Sequence, residues 1–157
     1  MFEKLRERWT KAINPMVLRM EKVDPNYLTW TSLFLALGSF FLVAGASLDS
    51  RGALAIVGTV LLILIAAVLD GLDGALARHQ GTDSPYGDFL DHTIDRVVDV
   101  GLLVAIGANT VFVDNPSSGY LAALLTLFGS YMGTQAQSVG LGRIYGGFSR
   151  ADRMVLT

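Results

Sequence analysis

The chain has 157 residues, is 52% hydrophobic with a mean hydropathy of +0.47, and carries a formal net charge of −2. Those totals suit a rich soluble core or a membrane protein equally, so the distribution along the chain has to decide. It has no cysteine, which excludes a disulfide framework, a thiol nucleophile and a thiolate metal site, and no nucleic-acid partner is expected.

Residues 1–22 carry Phe2, Leu5, Trp9 and Ile13 at helical spacing with basic residues between them. This is the pattern of an interfacial helix lying along anionic headgroups, set against a merely solvated charged arm. Pro15 is expected to interrupt it. The segment is amphipathic rather than a short apolar core with a cleavage site, so no signal peptide is expected. Asp24 and Pro25 suit a helix start, and Tyr27 and Trp30 suit the aromatic belt of a membrane surface.

Four windows then lack any Lys, Arg, Asp or Glu: 25–48, 52–69, 100–113 and 115–142. A spanning helix needs about 20 mostly apolar residues. The windows predict four transmembrane helices near 27–47, 53–75, 89–113 and 119–139, and a fifth beginning near Ala151. The closing "RMVLT" reads as the opening of a further apolar helix, so the chain is expected to be an N-terminal fragment of one membrane domain. The predicted fold is all-α, an integral membrane helical bundle, with an interfacial segment over residues 1–22 and the membrane domain over 23–157.

Eleven of the twelve basic residues fall on one side of these spans, with only Arg51 opposite. The positive-inside rule makes that side cytoplasmic. A multi-pass protein with its chemistry facing the cytoplasm follows, in the cell membrane if the source is prokaryotic.

Seven of the fourteen acidic residues lie between Leu69 and Asp99, on that same side. Asp70 and Asp73 are about 60° apart around a helix, and Asp91 and Asp95 about 40°, so each pair shares a face. Gly81, Pro85 and Gly87 can turn the chain back between them. Four bare anions are excluded there, since each central charge costs roughly 2.5–3.5 kcal/mol even on a lenient insertion scale and repulsion adds to it. Hard divalent cations favour carboxylate oxygen. With no Cys and two His, zinc is disfavoured. A pair of such ions suits phosphoryl or diphosphate chemistry, and Gly74 and Gly87 allow close approach of a phosphate or nucleotide to the backbone.

The run "D-G-L-D-G-A-L-A-R" followed by "G-D-F-L-D-H-T-I-D" resembles the signature of the CDP-alcohol phosphotransferase (CDP-alcohol phosphatidyltransferase) family, D-x2-D-G-x2-A-R-x8-G-x3-D-x3-D. Asp70, Asp73, Gly74, Ala77, Arg78, Gly87, Asp91 and Asp95 fill its eight fixed positions. The resemblance implies a six-helix membrane enzyme, usually a homodimer, that moves the phosphatidyl-type group of a CDP-lipid (CDP-diacylglycerol or CDP-archaeol) to an alcohol and releases CMP. It implies that Asp70, Asp73, Asp91 and Asp95 surround two Mg²⁺ (or Mn²⁺) ions, with Asp95 as general base. It places Arg78 on the diphosphate, and Gly74 and Gly87 beside the cytidine. Pro25, Asn26 and Thr29 match the family's "P-N-x-x-T" start of the first span, near the nucleotide, although a helix-start signal alone explains them equally well.

Outside the signature, Asp99 reads as a helix–helix polar contact or a partner for a loop arginine. Asp83 and Asp88 read as solvated or capping, and His79 and His92 are given no role. Ser130, Thr134, Gln137 and Ser138 line a polar cavity or bond neighbouring helices. Gly129 and Gly133 form a G-x-x-x-G, read as close helix packing. Arg143, Arg150 and Arg153 suit a phosphate on the acceptor, which favours inositol phosphate or glycerol phosphate. Against that stand Thr134 and Gln135, where bacterial inositol-phosphate transferases of this family typically carry basic residues. A Mg-dependent membrane prenyltransferase and a non-enzymatic divalent-cation transporter are the competing functions. The first lacks the D-G-x2-A-R element, and the second expects acids near mid-membrane.

Overall fold

Every helix whose start is described opens on a side-chain cap. Asp24, Asp49, Ser84 and Asn115 accept backbone N–H bonds from Asn26, Gly52, Gly87 and Ser117 at 2.8–3.1 Å, which satisfies donors that a helix N-terminus otherwise leaves orphaned. Pro25, Pro85 and Pro116 follow three of these caps, where a missing N–H costs nothing. The Ser47 hydroxyl and the Gly52 amide hold the Asp49 carboxyl below the usual carboxylate range, keeping that cap charged at neutral pH.

The computed structural model describes residues 13–141, and among them there are helices and no strands. Residues 13–19 are helical (α1), followed by α2 (Pro25–Ala44), α3 (Ser50–Gln80), α4 (Pro85–Ala108) and α5 (Pro116–Ser138). The helix runs through Pro15, so the expected interruption is absent. Ile13 and Val17 are buried against Leu28, Leu72 and Leu76. That end of the amphipathic segment therefore turns its apolar side to the protein. Phe2, Leu5 and Trp9 lie outside the described residues.

The packing is inverted relative to a water-soluble core. On α2 the buried residues are Leu28, Thr29, Ser32, Ala36, Ser39 and Val43. Ser39 is 0% exposed while Phe41 is 81% exposed. Small residues inward and large apolar residues outward are what close helix packing within lipid selects. Ser32 and Ser39 return their hydroxyls to the Thr29 and Ala36 carbonyls, so the stripe is small without being unsatisfied. Two helices, α2 and the 31-residue α3, are long and apolar enough to cross a membrane.

α2 is the hub: it packs along α3 and along α4, and α5 packs along α4. α3 and α4 lean on α2 rather than on each other. The far ends of α2 and α4 are fixed together by a residue expected to lie inside a helix. α4 stops at Ala108 rather than near 113, because buried Asn109 leaves the helix and donates its amide to the Val43 and Ala46 carbonyls at 2.7 and 2.8 Å. It thereby satisfies carbonyls at the end of α2. α4 and α5 then meet backbone to backbone at Gly107 and Gly119, where a Cβ on Gly119 would lie 2.5 Å from the Gly107 Cα. Among the described residues a Cβ on Gly133 of the G-x-x-x-G would meet nothing within 4 Å, so that glycine takes no part in the α4–α5 contact.

Asn109→Leu keeps the branched shape and takes the side-chain donor from the Val43 and Ala46 carbonyls. It is expected to destabilise the fold by about 1–3 kcal/mol, read as a lower thermal midpoint of the detergent-solubilised protein, with Asn109→Gln the milder change.

Candidate active site

The site is set by the turn between α3 and α4. Gly81 takes φ +65°, a left-handed conformation that favours glycine. The amides of Gly81 and Thr82 return to the Arg78 and Ala77 carbonyls at 3.4 and 3.0 Å, closing α3 in a Schellman motif. Ser84 caps α4 directly afterwards. With only residues 81–84 between the helices, distance from the turn becomes a ruler. Asp70 lies ten residues before Gln80 and Asp95 ten after Pro85, so each is about 15 Å from its helix end. Asp73 and Asp91, seven before and six after, match in the same way at about 10 Å.

Three of the four signature carboxylates converge. Asp70, Asp91 and Asp95 each offer an oxygen, and these oxygens lie within 4.8 Å of one another, in a half-buried setting. An all-carboxylate set of this size fits a hard divalent cation and offers nothing to a soft one. Asp73 is not one of these three, and bonds across to α2 instead. It is 4% exposed, accepts the Thr29 hydroxyl at 2.5 Å, and accepts the Gly74 amide at 2.5 Å. The "P-N-x-x-T" motif is thus more than a helix start, because its threonine ties α2 to the signature.

Beside these acids opens a cavity of about 380 Å³, within the range of small-ligand sites. Pro25, Asn26 and Thr29 form its α2 wall, Asp73, Gly74 and Arg78 its α3 wall, and Gly87 and Asp91 its α4 wall. Gly74 leaves room for Arg78, whose guanidinium would lie 3.3 Å from a Cβ placed there. Gly87 leaves open wall, with only the Ser84 hydroxyl at 3.4 Å from such a Cβ.

Other predicted residues fall elsewhere. Thr134 and Gln137 are exposed on α5, the Thr134 hydroxyl returning to the Ser130 carbonyl, and neither lines the cavity. Arg143, Arg150, Arg153 and the fifth helix near Ala151 lie outside the described residues. Asp83 and Asp88 both line the cavity rim, Asp88 in the first turn of α4, where a negative charge is favourable. Asp99 pairs with Arg96 at 3.3 Å, a partner on its own helix. His79 approaches Glu21 at 3.4 Å, and Gln80, unremarked in the sequence, donates to the Glu21 and Val23 carbonyls at 3.0 and 2.8 Å. These contacts fasten the linker before Asp24 to the end of α3, and so set one wall of the cavity. No periodicity marks such a residue in advance.

The sequence matches the family profile described as CDP-alcohol phosphatidyltransferase over residues 22–137. The chain belongs to that family. It is accordingly a transferase of phosphate-containing groups. Among its relatives, an uncharacterized protein of Aquifex aeolicus (strain VF5) is 33% identical over 98% of this chain and 76% of its own length. The phosphatidylinositol phosphate synthase of Cutibacterium acnes is 30% identical over 100% of this chain and 75% of its own. The archaetidylinositol phosphate synthase of Pyrococcus horikoshii is 36% identical over 61% of this chain, which spans half that protein's length. No solved structure matches the chain significantly.

Thr29→Val removes the hydroxyl from Asp73 and keeps the shape. It is expected to cost about 1–3 kcal/mol by leaving a buried carboxylate short of a donor, with Thr29→Ser restoring most of the loss in a thermal-unfolding measurement.

Proposed function

We propose that this chain transfers the phosphatidyl-type group of a CDP-lipid to an inositol phosphate, releasing CMP, from an active site open to the cytoplasmic side of a multi-pass membrane domain. The observation that carries it is the shared cavity. Six of the eight signature residues and the α2 motif line one nucleotide-sized space, and the Asp70, Asp91 and Asp95 oxygens gather beside it. The names of the Cutibacterium and Pyrococcus relatives favour inositol phosphate over other acceptors and leave both CDP-diacylglycerol and CDP-archaeol as donors. Glycerol phosphate is the nearest alternative acceptor.

The residues divide the work as follows. Asn26, Thr29, Gly74 and Gly87 form the walls for the cytidine and ribose, and Arg78 offers a planar fork of donors to the diphosphate. Asp70, Asp91 and Asp95 would hold a Mg²⁺ or Mn²⁺, and Asp73, which lines the cavity with Asp91, would contribute to a second. Bound there, the ions neutralise the acids and draw charge from the phosphate oxygens. The acceptor hydroxyl forms a new P–O bond at the lipid-side phosphorus. The bond from that phosphorus to the bridging oxygen breaks, CMP leaves with the electron pair, and Asp95 takes the hydroxyl proton. Positioning and charge stabilisation supply most of the rate. α4 and α5 complete the spans, and a homodimer in the bilayer belongs to the same reading.

Labelled CDP-lipid incubated with the full-length protein, Mg²⁺ and a panel of alcohols tests this. CMP release is expected with inositol phosphate and not with inositol or serine. Prenyl transfer, or ion flux without CMP release, would overturn the reading. Asp95→Asn is expected to lose roughly 10²–10⁴-fold in kcat, and full turnover of that variant at saturating Mg²⁺ sinks the base assignment.

A further inference from the structure

The acid stripe on α4 does not stop with the signature. Asp91, Asp95 and Asp99 recur every four residues, about 40° apart around the helix, so Asp99 extends the same face one turn farther from Gly81. Between the last two sits Arg96. Its guanidinium is 3.6 Å from the Asp95 carboxylate and 3.3 Å from that of Asp99. The Asp99 side chain is only 10% exposed, so this pairing is largely out of solvent.

An arginine beside a single carboxylate in apolar surroundings closes on it, because neither charge is tolerated there alone. Were Arg96 to close on Asp95, one member of the triad would be neutralised and a fixed positive charge would stand next to the place a cation must occupy. The nearer carboxylate of Asp99 offers the guanidinium a second partner one turn farther along α4.

We propose that Asp99 is a positioning residue for the triad, sharing Arg96 with Asp95 so that the guanidinium does not close on Asp95 alone and that carboxylate can still serve a divalent cation together with Asp70 and Asp91. This rests on the triad being a cation site, as in the proposed function. The expectation is specific in sign: an acid outside the signature raises cation affinity by occupying an arginine, without itself reaching the ion.

Mn²⁺ binding to the full-length protein in lipid nanodiscs, followed by the loss of the free-ion electron paramagnetic resonance signal, tests it without recourse to turnover. Asp99→Asn is expected to weaken Mn²⁺ binding roughly tenfold. The double variant Arg96→Gln/Asp99→Asn is expected to regain wild-type affinity, because the competing charge is gone. Wild-type affinity in Asp99→Asn, or a double variant no better than the single, overturns the inference. Should Asp99→Asn fail to fold, the double variant decides alone, and binding weaker than wild type sinks the idea. Asp70→Asn run alongside separates the two layers. If it binds Mn²⁺ unchanged, the cation-site reading falls and takes this inference with it. If it loses binding while Asp99→Asn does not, only the role of Asp99 falls.

Discussion

A four-residue turn governs this protein. Because α3 closes at Gly81 and α4 opens at Ser84, positions counted backward along one helix and forward along the next lie at equal depth. The acids at 70 and 73 and those at 91 and 95 are arranged almost symmetrically about that turn. A longer or looser connection would let the two helices slide, and a slip of one residue would shift one pair by about 1.5 Å and rotate it by about 100°. The carboxylate spacing has meaning only because the turn is rigid.

α2 supplies the third side. Its small inward stripe lets α3 and α4 both approach it, and the two helices diverge from each other around it. The space left where they diverge is the cavity. The same packing explains why Asp73 and Asp70, neighbours on one helix, do different things. The turn of about 60° between them aims one at Thr29 on α2 and leaves the other facing α4. Asp91 borders both environments, lining the cavity and belonging to the triad.

Charge and polarity inside the bundle are compensated locally. Arg96 is shared between two acids of its own helix, Asn109 meets two carbonyl ends, and buried serines return to their own backbone. Such satisfaction matters more here than in a water-soluble core, because an apolar exterior offers no water to rescue an orphaned group. It also leaves the acid cluster as the one concentrated field among the described residues, a setting suited to ions and the phosphates they bind.

The sequence by itself determined the family and the all-helical class. Charge-free windows and glycine and proline punctuation are local properties that mark the helices, and the family is carried by the resemblance of residues 70–95 to its signature. It did not determine the helix ends, which Asn109 and the Gly81 closure set through hydrogen bonds to distant or newly formed carbonyls. Nor did it show that Ile13 and Val17 dock on α3, since an apolar stripe serves lipid and protein alike. Only the tertiary structure tied Asp73 to Thr29, brought Gly107 against Gly119, and set Gln80 as a fastener of the cavity wall. Each of those depends on which element stands opposite, and a one-dimensional pattern records a residue's face but not its neighbour.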